Sequence, residues 1–107
     1  MLIDFNNICE KIFNNYRNGQ KDTTLKIFSD NQVRIMLGKL ESGASIGLHT
    51  HEDNSEVVFI LQGQCIEFIN GIEEHLKLGM CHYCPKGSSH TLINDGDDEL
   101  IFYAMVY

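Results

Sequence analysis

A chain of 107 residues with 8 basic against 15 acidic side chains carries a formal charge of −7, which argues against a phosphate-tracking surface and direct nucleic-acid binding. With 43% hydrophobic and 21% charged residues, it has the composition of one globular domain with its own core. No apolar run approaches the roughly 20 residues of a membrane span, and the opening MLIDFNNICEKIF carries acids and amides where a secretory leader needs a basic start. A cytoplasmic protein without membrane contact is expected. Cys9, Cys65, Cys81 and Cys84 lack the dense spacing of a disulfide scaffold and read as reduced thiols.

Phe5, Ile8, Cys9, Ile12, Phe13 and Tyr16 recur at a spacing that draws one stripe down a helix, with Asp4 as its cap and Gly19 as its stop. An amphipathic helix over about residues 5–18 is predicted, and with it a helical segment 1–20 ahead of a β domain 21–107. Beyond it the period falls to two. Strand-like runs cover Thr24–Ser29, Gln32–Leu40, Ser45–His51, Glu56–Leu61, Cys65–Asn70, Ile72–Leu78, Cys81–Cys84, His90–Ile93 and Leu100–Val106. Asn70-Gly71 is the strongest hairpin signal among the intervening turns. Many short strands with no helices interleaved predict an all-β, antiparallel sandwich or small barrel.

His49 and His51 are separated by one residue on a predicted strand, so both imidazoles leave the same face and can converge on one ion. After the turn at Glu52–Ser55 the chain returns, which places Glu56 opposite them as an anionic oxygen. His90 follows the turn-rich Pro85–Ser89 and can close the set from another strand. The pair Cys81 and Cys84 has redox-motif spacing but falls on a strand, where positions i and i+3 face opposite sides. His75 reads as solvated beside Glu73 and Lys77, and Asp95–Glu99 as a solvated turn lacking the distal glutamate of a calcium loop.

The frame around the histidines carries a further signal. Gly43, His49, His51, Glu56 and Gly63, then Gly79, Pro85, Gly87, His90 and Asn94, stand at spacings that resemble the two motifs of the cupin superfamily. The resemblance implies a jelly-roll barrel of antiparallel strands with a metal inside, held by the residues matching His49, His51, Glu56 and His90, and it favours a homodimer. Three imidazoles and one carboxylate suit one divalent transition metal ion, Mn, Fe, Ni, Co, Cu or Zn. A six-coordinate ion would keep two positions open, whereas a tetrahedral zinc would be filled.

The resemblance implies a metal-binding small cupin, an enzyme of isomerase, lyase, decarboxylase or dioxygenase type acting on a small oxygen-rich metabolite, such as a carboxylate, sugar or dicarbonyl compound, bound directly to the metal. The alternative is a non-catalytic module that binds or senses a small ligand. Val58, Ile60, His82, Tyr83 and Phe102 are the candidate substrate-pocket residues, with Glu67 and Glu74 as possible bases outside the metal set. Apolar residues on both parities of the last strand, and the apolar stripe of the first segment, predict a two-fold homodimer.

Overall fold

The computed structural model describes all 107 residues. Ten strands run in order: β1 Lys11–Asn14, β2 Asp22–Ser29, β3 Arg34–Leu40, β4 Ser45–Thr50, β5 Glu56–Gln62, β6 Gln64–Ile69, β7 Ile72–Lys77, β8 Cys81–Cys84, β9 Ser89–Ile93 and β10 Leu100–Val106. They form a six-stranded sheet in the order β1-β2-β3-β10-β5-β8 and a four-stranded sheet in the order β4-β9-β6-β7. All pairings are antiparallel. The architecture is the all-β jelly roll expected, and no helix is long and apolar enough to cross a membrane.

Alternation builds the core between the sheets. Leu25, Met36, Leu40, Val58, Ile60, Leu92, Leu100, Phe102 and Ala104 are buried on the inner faces, while their strand neighbours turn outward. β6 and β7 meet at Asn70 and Gly71, both at positive φ (49° and 82°), the conformation a two-residue hairpin of the primed type demands.

The helix predicted over residues 5–18 does not form. Its place is taken by a 3-10 turn at Phe5–Asn7, strand β1, and a second 3-10 turn at Tyr16–Asn18. Asp4 does act as a cap, accepting from the Asn6 amide at 3.0 Å. The segment contains Asn6, Asn7, Asn14, Asn15 and Asn18, residues that compete with the helix through local hydrogen bonds and tolerate left-handed φ. Asn15, Arg17, Asn18 and Lys21 all adopt it, at φ 50°, 55°, 64° and 55°. The edge of the larger sheet offers the alternative: Phe13 pairs with Thr23 and packs inward, while Ile12 is left exposed.

The left-handed segment presses on β4. A Cβ added at Gly47 would stand 2.0 Å from the Arg17 carbonyl oxygen, so the two backbones touch where only glycine fits. Gln20 and Ser45 tie the contact through N–H···O bonds of 2.8 and 2.9 Å. At the far end, Ser55 and Tyr107 exchange two backbone hydrogen bonds of 2.8 and 3.0 Å.

Candidate metal centre

Four side chains from three strands and one adjoining loop meet at one end of the barrel. His49 lies on β4, His51 just beyond its end, Glu56 opens β5 and His90 lies on β9. The β4–β9 register shifts between Ile46 and His49, and such a bulge re-aims the side chains that follow it. It leaves His49 directly opposite His90. The His51 backbone is fixed to the following loop by its amide to the Ser88 carbonyl at 3.0 Å and its carbonyl to the Gly87 amide at 2.6 Å.

The ring nitrogens converge. His90 Nε2 is 3.0 Å from His51 Nε2, 3.2 Å from His49 Nε2 and 2.9 Å from Glu56 Oε1, and His51 Nε2 is 3.4 Å from that oxygen. Neighbouring ligand atoms around an ion held at roughly 2.1 Å have this separation. The outer nitrogens are committed: His49 Nδ1 donates to the Gly47 carbonyl at 2.8 Å and His51 Nδ1 to Asn54 Oδ1 at 2.6 Å. In neutral rings, both Nε2 lone pairs then face inward beside a carboxylate, which repel one another unless a proton or a cation sits among them. The four residues are a donor set that fits a transition-metal ion.

Electrostatics agree with that arrangement. Burial pushes the Glu56 carboxyl up, but hydrogen bonds from His51 and His90 more than offset it and bring it down to about 2. Burial pushes His90 down, while the neighbouring carboxylates of Glu56 and Glu67 raise it to about 9. His49 is lowered, chiefly by burial, against the opposing pull of the Gly47 carbonyl. Burial, with Glu67 and Asp95 nearby, lifts the Cys65 thiol to about 12, and burial beside Glu56 and Glu67 lifts Cys84 to about 11. Both stay protonated and are poor ligands. Cys81 is exposed and Cys84 buried, on opposite faces as the strand parity requires.

The site opens on a cavity of about 50 Å³, walled by Leu25, Met36, Leu92, Ala104, Val58 and Phe102. It shares Arg17, Arg34, His49, His51 and Val106 with an outer vestibule of about 570 Å³. Of the candidate pocket residues, Val58 and Phe102 line the cavity. Ile60 is buried in the core away from its wall, and His82 is buried behind His90. Tyr83 is no pocket residue: it is 53% exposed, because on β8 it has the opposite parity to His82. Glu67 lines the cavity floor, whereas Glu74 is half-exposed on β7.

Arg17 and Arg34 were not anticipated, although they are the only arginines of an acidic chain. Arg34 shares strand parity with the inward Met36 and Leu40, a signal that marks a charge aimed at the core. Its Nε is buried without a partner, and its Nη2 reaches the Tyr16 hydroxyl at 3.4 Å. Arg17 lies over the Tyr16 ring at 5.6 Å. No sequence signal finds Arg17, whose placement depends on the left-handed turn.

Comparison with known proteins decides the family. The family model of the cupin domain matches residues 36–106. This chain is a cupin. It is 30% identical over 112 residues to an oxalate-binding protein of Thermotoga maritima, covering 99% of this cupin and 93% of that protein. Among solved structures, a predicted oxalate decarboxylase of Thermotoga maritima superposes with a TM-score of 0.92 at 28% identity, covering 99% of this cupin and 97% of that chain. A sugar phosphate isomerase of the cupin superfamily from Silicibacter pomeroyi gives 0.82 at 22% identity, over 99% and 74% of the two chains, a likeness of fold alone.

Proposed function

We propose that this cupin binds a small dicarboxylate of about the size of oxalate, directly on a divalent metal held by His49, His51, Glu56 and His90. The observation that carries the reading is the cavity: about 50 Å³, with the donor set on one side and both arginines of the chain at its neck. A water occupies roughly 10–15 Å³ on this measure, so the space suits a compact molecule of few heavy atoms and not a sugar. Guanidiniums recognise carboxylates through paired N–H donors, and the apolar walls strengthen that attraction by excluding water. The similarity to an oxalate-binding protein supports the same ligand class.

An ion such as Mn, Fe, Ni or Co, when bound, supplies Lewis-acid polarisation of a coordinated carboxylate through its open positions. The residues of the chain then orient the second carboxylate at Arg34 and Arg17 and keep bulk water away through Val58, Phe102 and Leu92. Calorimetric titration of the metal-loaded protein with oxalate, malonate, acetate and glucose tests the reading. Saturable one-to-one binding of oxalate, and weaker or no binding of the monoanion and the sugar, is expected; no binding of any dicarboxylate would overturn it. Labelled oxalate released as carbon dioxide and formate marks an enzyme of lyase type, and retention without turnover marks the non-catalytic binding module.

We further infer a cytoplasmic homodimer formed through the outer face of the six-stranded sheet. There Leu37, Tyr103 and Phe59 stand in register across β3, β10 and β5, next to Ile35, Met105, Val57 and Tyr83 on the same face. Such an apolar row on a soluble sheet fits a self-complementary partner. Light scattering at micromolar concentration should return twice the monomer mass of 12.2 kDa, and a monomer would refute the assembly.

A further inference from the structure

Three side chains behind His90 play no part in the donor set. Glu67 on β6 and His82 on β8 have side chains with 0% exposure, and Glu74 on β7 stands 44% exposed at the outer end of the row. His82 Nε2 is 3.0 Å from His90 Nδ1 and 2.7 Å from Glu67 Oε2, and its Nδ1 is 2.8 Å from Glu74 Oε1. Glu67 Oε2 is also 3.5 Å from His90 Nδ1.

Two features of this group are unusual. Glu67 is fully buried, yet neither of its oxygens accepts an aligned hydrogen bond, since the nearby ring nitrogens lie off the required line. A buried carboxylate without a directed donor is costly. The rings of His82 and His90 are nearly parallel at 16°, with centroids 5.2 Å apart and nitrogens 3.0 Å apart. They therefore meet edge to edge, nitrogen to nitrogen. That geometry shares a proton between the rings and leaves no room for an ion between them, so the group is not a second metal centre, although its three donor atoms lie close together.

The charge of that carboxylate acquires a use once His90 serves as a ligand. A neutral imidazole that gives its Nε2 lone pair to an ion carries its one proton on Nδ1, and that proton faces Glu67 and His82. We propose that Glu67 is a positioning residue for the metal: the Nδ1 proton of His90 is received by His82 Nε2, 3.0 Å away and braced by Glu74, and the buried Glu67 carboxylate, 3.5 Å and 2.7 Å from those two nitrogens, holds that proton in place by its charge. This rests on the metal reading above and adds to it a residue that does not touch the ion. A carboxylate behind a ligating histidine fixes the tautomer and ring orientation and makes the ligand more basic. Greater basicity favours the higher oxidation state of a redox-active ion, so Glu67 sets the potential of the site as well as its affinity.

The test compares wild type with Glu67→Gln, Glu67→Asp, Glu74→Gln and the surface control His75→Ala, each checked for folding by circular dichroism. Co(II) titration followed by its visible absorption is expected to show about 10–100-fold weaker binding and displaced bands for Glu67→Gln. Partial recovery is expected for Glu67→Asp, a smaller loss for Glu74→Gln and none for His75→Ala. The reduction potential of the iron-loaded Glu67→Gln protein should lie above that of wild type. If the variants do not fold, the zinc-loaded wild type still decides the matter: proton NMR should show the His90 Nδ1 proton as a slowly exchanging, far-downfield resonance. A folded Glu67→Gln protein with wild-type affinity and spectrum, or the lack of that resonance, overturns the proposal. So do two metals per wild-type chain, one of them lost in Glu67→Gln. Wild type that takes up no metal refutes the metal reading itself.

Discussion

His49 and His90 face each other across the β4–β9 ladder, one residue beyond a bulge, with their Nε2 atoms 3.2 Å apart. The pairing joins the two halves of the donor set, so the loss of either ring opens the site from both sides. His90→Ala and His51→Ala should each lower metal affinity by more than the roughly 100-fold upper range seen for residues that only support a ligand. His75→Ala should change nothing, because that ring is exposed and bonded to Glu73 at 2.7 Å. Metal content after gel filtration checks all three.

Metal uptake should expel a proton. The His90 imidazole, lowered by burial but raised further by the neighbouring carboxylates of Glu56 and Glu67, is brought to about 9. It is therefore protonated at pH 7 in the metal-free protein and must lose that proton to become a ligand. Binding enthalpies measured in buffers of different ionisation heat should reveal about one proton released per ion. Affinity should rise close to tenfold per pH unit from 7 to 9.

The same groups shape the stability of the metal-free protein. His90 is raised from its ordinary 6.5 to about 9, so its contribution is complete below 6.5 and is lost as pH rises through 9. Glu56, depressed from 4.5 to about 2, contributes above 4.5 and loses that contribution as pH falls through 2. Thermal melts across pH should show the metal-free protein losing stability on both flanks of the window from 4.5 to 6.5. His90→Ala should shrink the alkaline flank to the share left by His82, which burial lowers but Glu67 and Glu74 raise above its ordinary value.

Arg34→Met tests the anion subsite without emptying the cavity wall. Metal affinity should persist, since Arg34 is no part of the donor set, while oxalate affinity should fall by about 1.5–3 kcal/mol, the worth of a hydrogen bond to a charged group. Titration calorimetry of the metal-loaded variant reads both quantities.

Gly47→Ala tests the strap that carries Arg17. The added methyl would stand 2.0 Å from the Arg17 carbonyl oxygen, forcing the left-handed turn off β4. A loss of about 1–3 kcal/mol in denaturant unfolding is expected, with weaker oxalate binding from the displaced guanidinium.

The convergence of His49, His51, Glu56 and His90 was legible because its information is local and periodic. His49 and His51 share a strand face by parity, and the glycines, Pro85 and His90 frame them at fixed spacings. The barrel was legible from many short strand-like runs divided by turn residues such as Asn70-Gly71, with no helical pattern interleaved beyond the leading segment. The leading segment was misread because Phe5, Ile8, Ile12 and Phe13 satisfy a helical period, while the decisive factors were asparagine chemistry and a free sheet edge contributed by Thr23–Leu25. Glu67 and Arg34 carried the parity of buried positions, but charge at such positions has no single reading until its neighbours are known. Arg17 was invisible, since nothing local announces that its backbone turns left-handed against Gly47.

The double backbone bond between Ser55 and Tyr107 gives the site a latch at its rim. Ser55 immediately precedes Glu56, and its hydroxyl also accepts from the Lys86 amide at 3.0 Å, so the β5 start, the β10 end and the Pro85–Ser88 loop are knotted at one residue. Opening that knot frays the strand that aims the carboxylate. The amides of Ser55 and Tyr107 are thus natural clocks for the site: their deuterium uptake counts local openings, and an ion that ties Glu56 to three histidines should slow both together.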